Sequence, residues 1–529
     1  MLGPRMIHGW GTHWRRRARV YGPAAAVALG VCGAQLLHFG GLYAASDDSY
    51  IYLGYVKRAL VPPRELFSYN PGEHSAGTTG VLYYYALILT AAAVRAVTFA
   101  LPMATTLTVA LYLLNGVLFV GCAGLLARIV RRMVSDGAVW EVLAFLLLLC
   151  NVRFMWGMFA GLENPLSAFL ALALVDGIAQ GVSLWHTAAI AGLLIATRPE
   201  LGATVGLVPA VAAVCARPAG RSAVGAQPGR AAADGWRATT RRAVVATAAC
   251  LAVVAALMLP CWLTTGRLFP SALGTRVHLA DLAAMSTYYY AYLALSAGAL
   301  WGKDWTLGNI VLLLCLLAAA PYRNLRVPLI VTAFVTWQFL VRIVLQLGYF
   351  NVQDRYVSYL WPLYVLAIIP LVQGVVGAMP AVVAAPARPV AALTLCALAV
   401  YTVLGPLREF DARLSWAVRE MNQVVVAPSL WMRDNLPPSS RIAMEPAGAI
   451  RVFTDFYLVD TNGLTTVHPQ ARSLAEFMRR NRVDYAFDYP IRHAELLDAT
   501  QYEQVMDWHP DRPFLFSMGD IGLYRLRQP

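Results

Sequence analysis

The sequence predicts a polytopic α-helical membrane protein of about eleven spans, followed by a C-terminal extracytoplasmic α/β domain. Three observations predict it. The 529 residues are 59% hydrophobic and only 13% charged, with a mean hydropathy of +0.56, where a soluble domain is about a quarter charged. The basic residues gather in particular inter-span segments. Beyond Arg408 the long apolar runs stop and short alternating segments take over.

The first span follows from "HWRRRARV" and the apolar run Tyr21 to Tyr43. That run is too long for the core of a signal peptide, so an uncleaved span with a cytoplasmic N-terminus is expected. Of the 42 basic residues only Lys57 and Lys303 are lysines, and the net charge of +13 is almost wholly arginine. In a membrane chain such an excess anchors cytoplasmic loops; it does not call for nucleic acid. The segment 81–101 has about 14 apolar residues before Arg95, short for a span. A membrane-parallel placement lets the next span, 104–127, deliver Arg128, Arg131 and Arg132 to the cytoplasm. Further spans are expected at 138–152, 163–182, 184–197, 201–216, 243–264, 307–320, 327–347, 357–377 and 390–406. The segment 217–242, with six arginines and one aspartate, then falls inside.

Residues 1–407 thus form the membrane module, with 44–103 as its first external loop, and 408–529 form the soluble domain. In that domain "SLWMRDNLPPSSRIAMEP" reads as helix, Pro-Pro break and strand, "FYLVDTNG" as strand and turn, and "SLAEFMRRN" as helix. "VDYAFDY" reads as a strand, and "FLFSMGDIGLYRLR" as two strands around Gly519 and Asp520. The eight cysteines are scattered, mostly in apolar runs, with no metal spacing, and read as small core residues.

In this frame the conspicuous polar residues meet the external face: Asp47, Asp48, Glu73, His74, Glu163, Arg198, Glu200, Arg267, Arg276 and Arg355. Carboxylates and arginines at headgroup depth suit one chemistry. Guanidinium groups grip the phosphate of a lipid-linked substrate, and a carboxylate takes a proton from an incoming hydroxyl. "SDDSYIYLGYVKRAL" opens a helix at Ser46 or Asp47, where the dipole favours an ionised acid.

The order of motifs resembles the GT-C superfamily of polyprenyl-phosphate-sugar glycosyltransferases, in the branch that holds the terminal arabinofuranosyltransferases of mycobacterial-type cell walls. "SDDSYIYLGYVKRAL…FSYNPGEHSAGTTGVLYYY" is similar to that branch's first external loop, and "FAGLENPL" to its Gly-Leu-Glu loop. "TRPEL" is similar to its Arg-Pro-Glu, "TGRLFPSALGTRV" to its Pro-Asn-Thr loop, and the tail to its external domain. Arg276 stands where the branch has lysine and Ser271 where it has asparagine, so sugar selectivity does not carry over. The resemblance implies an inverting transfer from a polyprenyl-phosphate sugar to an extracytoplasmic glycan, lipid or protein hydroxyl. Asp48 or Asp47 would be the base, and Arg276, Arg267 and Arg355 would hold the donor phosphate. Glu73, Glu163, Arg198 and Glu200 would contact sugar or acceptor.

Each residue also has a plainer reading. Asp47, Asp48 and Glu163 stand at helix starts, where acids cap. Arg198 and Glu200 form a surface pair across Pro199. Arg267 and Arg276 are headgroup anchors. Arg342, deep in a span, snorkels to the surface. Tyr83, Tyr84, Tyr85 and Tyr288 to Tyr290 read as an interfacial aromatic belt. No cofactor is expected beyond the lipid-linked donor. A divalent cation on the Asp pair stays open, because no further oxygen ligands cluster near it in sequence. A transporter or flippase of lipid-linked sugars is the rival; against it stand the lack of an internal repeat and of paired broken spans. A non-catalytic scaffold would leave the acid pair without a purpose.

Overall fold

The computed structural model describes residues 4–134, 137–199, 201, 228–267, 358–377, 403–466, 473–491, 493–511 and 520–527. The expected spans at 201–216, 307–320 and 327–347, most of 390–406, and residues Glu200, Arg276, Tyr288 to Tyr290, Arg342 and Arg355 lie outside the described residues.

Eight helices lead the chain: α1 (Pro4–Phe39), α2 (Asp47–Leu60), α3 (Val81–Val97), α4 (Met103–Met133), α5 (Gly137–Leu149), α6 (Val152–Phe159), α7 (Asn164–Gln180) and α8 (Leu184–Thr197). The helix Pro228–Thr265 follows. Among the described residues, Val20–Phe39, Met103–Met133 and Thr240–Thr265 are long and apolar enough to cross a membrane. The pair α5 and α6 makes a fourth if taken as one span bent by 77°. That bend falls where Asn151 leaves the helix and its side chain accepts from the Phe154 amide, starting α6 afresh. Helices α3, α7 and α8 are apolar but run only 14 to 17 residues. α7 has Pro165 in its first turn and ends on Gly181 at φ 66°, a left-handed cap that favours glycine.

α4 fixes a direction through the bundle. At one end Tyr112 donates to the carbonyl of Tyr43, where α1 gives way to the first loop. At the other, Arg128 and Arg132 both pair with buried Asp176 of α7, and Arg131 holds Glu141 of α5 by two bonds. Sixteen residues of helix separate Tyr112 from Arg128, about 24 Å. The arginines and the acid pair therefore sit at opposite ends of α4, as the sequence frame requires.

The first loop is itself folded. α2 leads to a two-stranded hairpin, β1 (Ser68–Asn70) and β2 (Glu73–His74), and then to α3. Glu65 pins the hairpin turn. It pairs with Arg58 at 2.6 Å and accepts from the Ser68 hydroxyl and the Gly72 amide. Tyr83 and Tyr84 are wholly buried. The Tyr83 hydroxyl donates to Asn115 of α4, and the Tyr84 hydroxyl accepts from the Phe67 amide. These two tyrosines are thus core, not the aromatic belt the sequence suggested.

Residues 403–421 form a helix that passes through a π-turn, Asn422–Val426, into the helix Ala427–Asn435. A five-stranded sheet follows, in the order β4-β3-β5-β7-β6. Its strands are β3 (Arg441–Met444), β4 (Tyr457–Asp460), β5 (Tyr485–Asp488), β6 (Tyr502–Trp508) and β7 (Ile521–Leu526). β3 runs parallel to β4 and β5, while β7 pairs antiparallel with β5 and β6. Successive residues face opposite sides. Ile442, Met444, Leu458 and Phe487 join the core shared with the helices. Ala443, Val459 and Ala486 pack with Leu474, Phe477 and Met478 in a second, smaller core.

The hairpin of the first loop sits on the edge of β4 away from β3. Asn70 behaves there as an extra strand residue. Its amide donates to the Leu458 carbonyl at 2.7 Å and its oxygen accepts from the Leu458 amide at 2.9 Å. The same oxygen accepts from buried Arg451 at 2.6 Å. Asn70→Ala leaves all three groups buried without this partner, and about 2–4 kcal/mol of stability is expected to go. Thermal unfolding of the purified full-length protein measures it, and a change below about 0.5 kcal/mol would contradict this docking.

Candidate functional site

The site is built on the start of α2. Ser46 caps the helix, accepting from the Ser49 amide at 3.3 Å. Asp47 and Asp48 fill the first turn, where the helix dipole favours anions. Both are half-buried, and Asp47 meets the tail. The amide of Gly448 lies 3.0 Å from each Asp47 carboxylate oxygen, and that of Ala449 lies 3.2 Å from Oδ1. These amides open the short helix Ala447–Phe453, which links β3 to β4. Only glycine fits at 448, because a Cβ would overlap the Asp47 backbone oxygen.

The far end of that helix meets the same α2. Lys57 Nζ donates to the carbonyls of Arg451, Val452 and Thr454 at 3.0 to 3.2 Å and pairs with Asp455 at 3.0 Å. Between the ends, Tyr50 packs on Phe453 with ring centroids 5.9 Å apart. At Gly54 the helices close so far that a Cβ would come 2.8 Å from Arg451 Cγ. The sequence reading gave Lys57 no role, although it is one of only two lysines.

Glu163 and Arg198 meet at the opposite face of α2. Arg198 pairs with Glu163 Oε1 at 2.9 Å. It also donates to Asn164 and lies 5.0 Å from the centroid of the Tyr359 ring. The Tyr52 hydroxyl donates to Glu163 Oε2 and accepts from the Gly80 amide. Arg198 is 1% exposed. Arg198 is therefore a buried group, not a surface one, and its ion pair with Glu163 joins the start of α7 to the end of α8. Pairing offsets part of the cost of burying the guanidinium.

Glu73 accepts from Asn70 at 2.8 Å and from the Tyr457 hydroxyl at 2.9 Å, and so ties the hairpin to β4. His74 is exposed, with Nδ1 near the Leu66 carbonyl. Arg267 is exposed just beyond the helix Pro228–Thr265. The structure thus gathers Asp47, Asp48, Glu73, Glu163 and Arg198 around α2 and the hairpin. It does not bring Arg267 into any contact with them. Among the described residues, no group of three or more His, Cys, Asp or Glu is arranged to hold a metal ion.

Sequence reasoning missed Lys57, Asn70, Gly448, Arg451 and Asp460. Asp460 is buried at the end of β4 and accepts from the amides of Asn462, Leu464 and Thr465. The turn it holds presents the Thr465 carbonyl to Tyr55 and Ser75 of the first loop.

A bundle of apolar helices, a folded first loop and a docked tail sheet together make the fold of a helical membrane protein. The chain shares that fold with solved structures. It is similar to ArnT of Cupriavidus metallidurans bound to undecaprenyl phosphate, at a TM-score of 0.59 and 13% identity over 95% of this chain and 97% of that one. It is similar to the archaeal oligosaccharyltransferase AglB of Archaeoglobus fulgidus, in complex with an inhibitory peptide and a dolichol-phosphate. There the TM-score is 0.52, with 12% identity over 90% of this chain and 70% of that one. A family model described as a domain of unknown function (DUF8728) matches residues 415–524. No curated protein matches the sequence.

Burial raises the Asp47 carboxyl to about 7, helped by the charge of Asp48 and opposed by the Gly448 and Ala449 amides. In the folded protein Asp47 therefore keeps a proton that the unfolded chain releases near its ordinary value of 3.8. Its stabilising contribution is whole below about pH 4 and is lost as pH rises through about 7, at no more than about 1.4 kcal/mol per pH unit. Thermal unfolding from pH 5 to 8 is expected to show wild type losing stability relative to Asp47→Asn. Parallel pH curves would contradict this environment for the carboxyl.

Breaking the inner pair is expected to be severe. Arg198→Met strands the Glu163 charge and costs about 3–5 kcal/mol, while Arg198→Met with Glu163→Met recovers at least about half. Unfolding of the two variants checks it, and equal losses would show that the pair is not coupled.

Proposed function

We propose that the protein is an inverting glycosyltransferase that takes a sugar from a polyprenyl-phosphate donor and passes it to a hydroxyl of an extracytoplasmic glycan, lipid or protein. The observation that carries this reading is the likeness, over nearly the whole length of both chains, to a structure bound to undecaprenyl phosphate. The arabinofuranosyltransferase-like branch rests on motif order alone, and the sugar is not part of the proposal.

Asp48 is the base. Its neighbour Asp47 is engaged by two backbone amides, which gives that carboxyl a structural task of its own. The acceptor oxygen attacks the anomeric carbon as Asp48 takes its proton, and the bond from that carbon to the phosphate oxygen breaks. The lipid phosphate leaves with its charge on Arg276, Arg267 and Arg355. Glu73 and Glu200 would contact sugar or acceptor, and the Glu163–Arg198 pair joins the start of α7 to the end of α8. No protein cofactor enters the step. The chain sits in the cell membrane with the N-terminus cytoplasmic, and the domain 408–529 is extracytoplasmic, where it guides the acceptor.

Membranes carrying wild type, Asp48→Asn or Arg276→Gln are to be offered radiolabelled polyprenyl-phosphate sugars and a cell-envelope acceptor. Wild type is expected to transfer label, and Asp48→Asn to lose at least about 1,000-fold in turnover while still binding donor. Arg276→Gln is expected to weaken donor use. Label that crosses the bilayer without joining an acceptor, unaffected by Asp48→Asn, would make the protein a flippase.

A further inference from the structure

α2 is held on two sides by different parts of the chain. The helical body holds it through Ser49, whose hydroxyl donates to the Ala160 carbonyl at 2.7 Å, and through Tyr52 on Glu163. The tail domain holds it through Asp47, Tyr50, Gly54 and Lys57, spaced i, i+3, i+7 and i+10 along one stripe. With 3.6 residues per turn, Asp48 stands about 100° from Asp47, between the tail stripe and the face that carries Ser49 and Tyr52. Its direction is thus set by how the tail and the body together grip α2.

The grip from the tail is electrostatic at both ends. α2 and the helix Ala447–Phe453 lie parallel, amino end to amino end, so their dipoles repel. Asp47 supplies acceptor oxygens at the two amino ends, and the Lys57 ammonium faces the two carboxyl ends. We propose that Asp47 and Lys57 are positioning residues that lock the tail domain onto the first loop and thereby aim the Asp48 carboxylate. The lock stands on the contacts alone; its kinetic consequence rests on the glycosyl-transfer reading.

Full-length protein in lipid nanodiscs tests both parts, by amide hydrogen exchange of the peptide 447–453 and by transfer kinetics. Asp47→Ala and Lys57→Met remove the partners. Each is expected to speed exchange at least about tenfold and to lower kcat at least about tenfold, with donor KM within about threefold of wild type. Asp47→Asn keeps an oxygen acceptor and Lys57→Arg keeps a charged donor, and each is expected to stay within about threefold of wild type in both readouts. Loss of turnover in Asp47→Asn with exchange unchanged would make Asp47 itself the base and overturn its positioning role. Wild-type exchange in both Asp47→Ala and Lys57→Met would overturn the lock. If wild type transfers nothing, the glycosyl-transfer reading fails, and exchange alone still judges the lock.

Discussion

Asp47 and Lys57, ten residues apart on α2, hold the two ends of the seven-residue helix Ala447–Phe453. A helix this short has almost every backbone group in an end turn, so its amides and carbonyls need partners from elsewhere. Asp47 supplies acceptors at one end and Lys57 a donor at the other. Because α2 is also the helix that begins with the acid pair, the contact joins the soluble sheet to the place where chemistry is proposed. The hairpin adds to it through Asn70 on Leu458 and Glu73 on Tyr457. First loop and tail are consequently one structural unit, although more than 300 residues separate them in sequence.

Charge is arranged by end. At the Arg128 end of α4, three arginines meet Asp176 and Glu141, and the arginine side chains remain about half exposed. At the other end Glu163 and Arg198 are enclosed, and Asp47 lies under the tail. Enclosed charges in a membrane protein persist only when paired or hydrogen-bonded, and Glu163 and Arg198 pair with each other. At that end, where the chemistry is proposed, a lowered dielectric would strengthen electrostatic contacts to a phosphate or a reacting hydroxyl.

Much of this was legible in the sequence. Apolar runs and arginine placement predicted a helical membrane module, and the segments read as strands by alternation hold β3, β4, β5 and β7. The short α5 and the 77° turn into α6 were not readable, since an apolar run shows no break until Asn151 finds an amide to cap. β6 was missed because "YEQVMDW" lies at the sheet edge with mostly exposed residues, which weakens the alternation. The helix Ala447–Phe453 was missed because its stability comes from Asp47 and Lys57, not from its own pattern. Tyr83 and Tyr84 looked like belt residues, yet the folded first loop gives them a core to enter. The stripe Asp47, Tyr50, Gly54, Lys57 was visible as helical spacing; its partner was not.

The central claim is that the acid pair divides its labour, one carboxylate holding the tail and the other facing the reaction. A density map of the full-length protein in lipid discs, with polyprenyl phosphate bound, tests it most directly. The account predicts phosphate density beside Asp48 with the Gly448 and Ala449 amides still on Asp47. Phosphate far from α2, or a tail domain parted from it, would contradict the account.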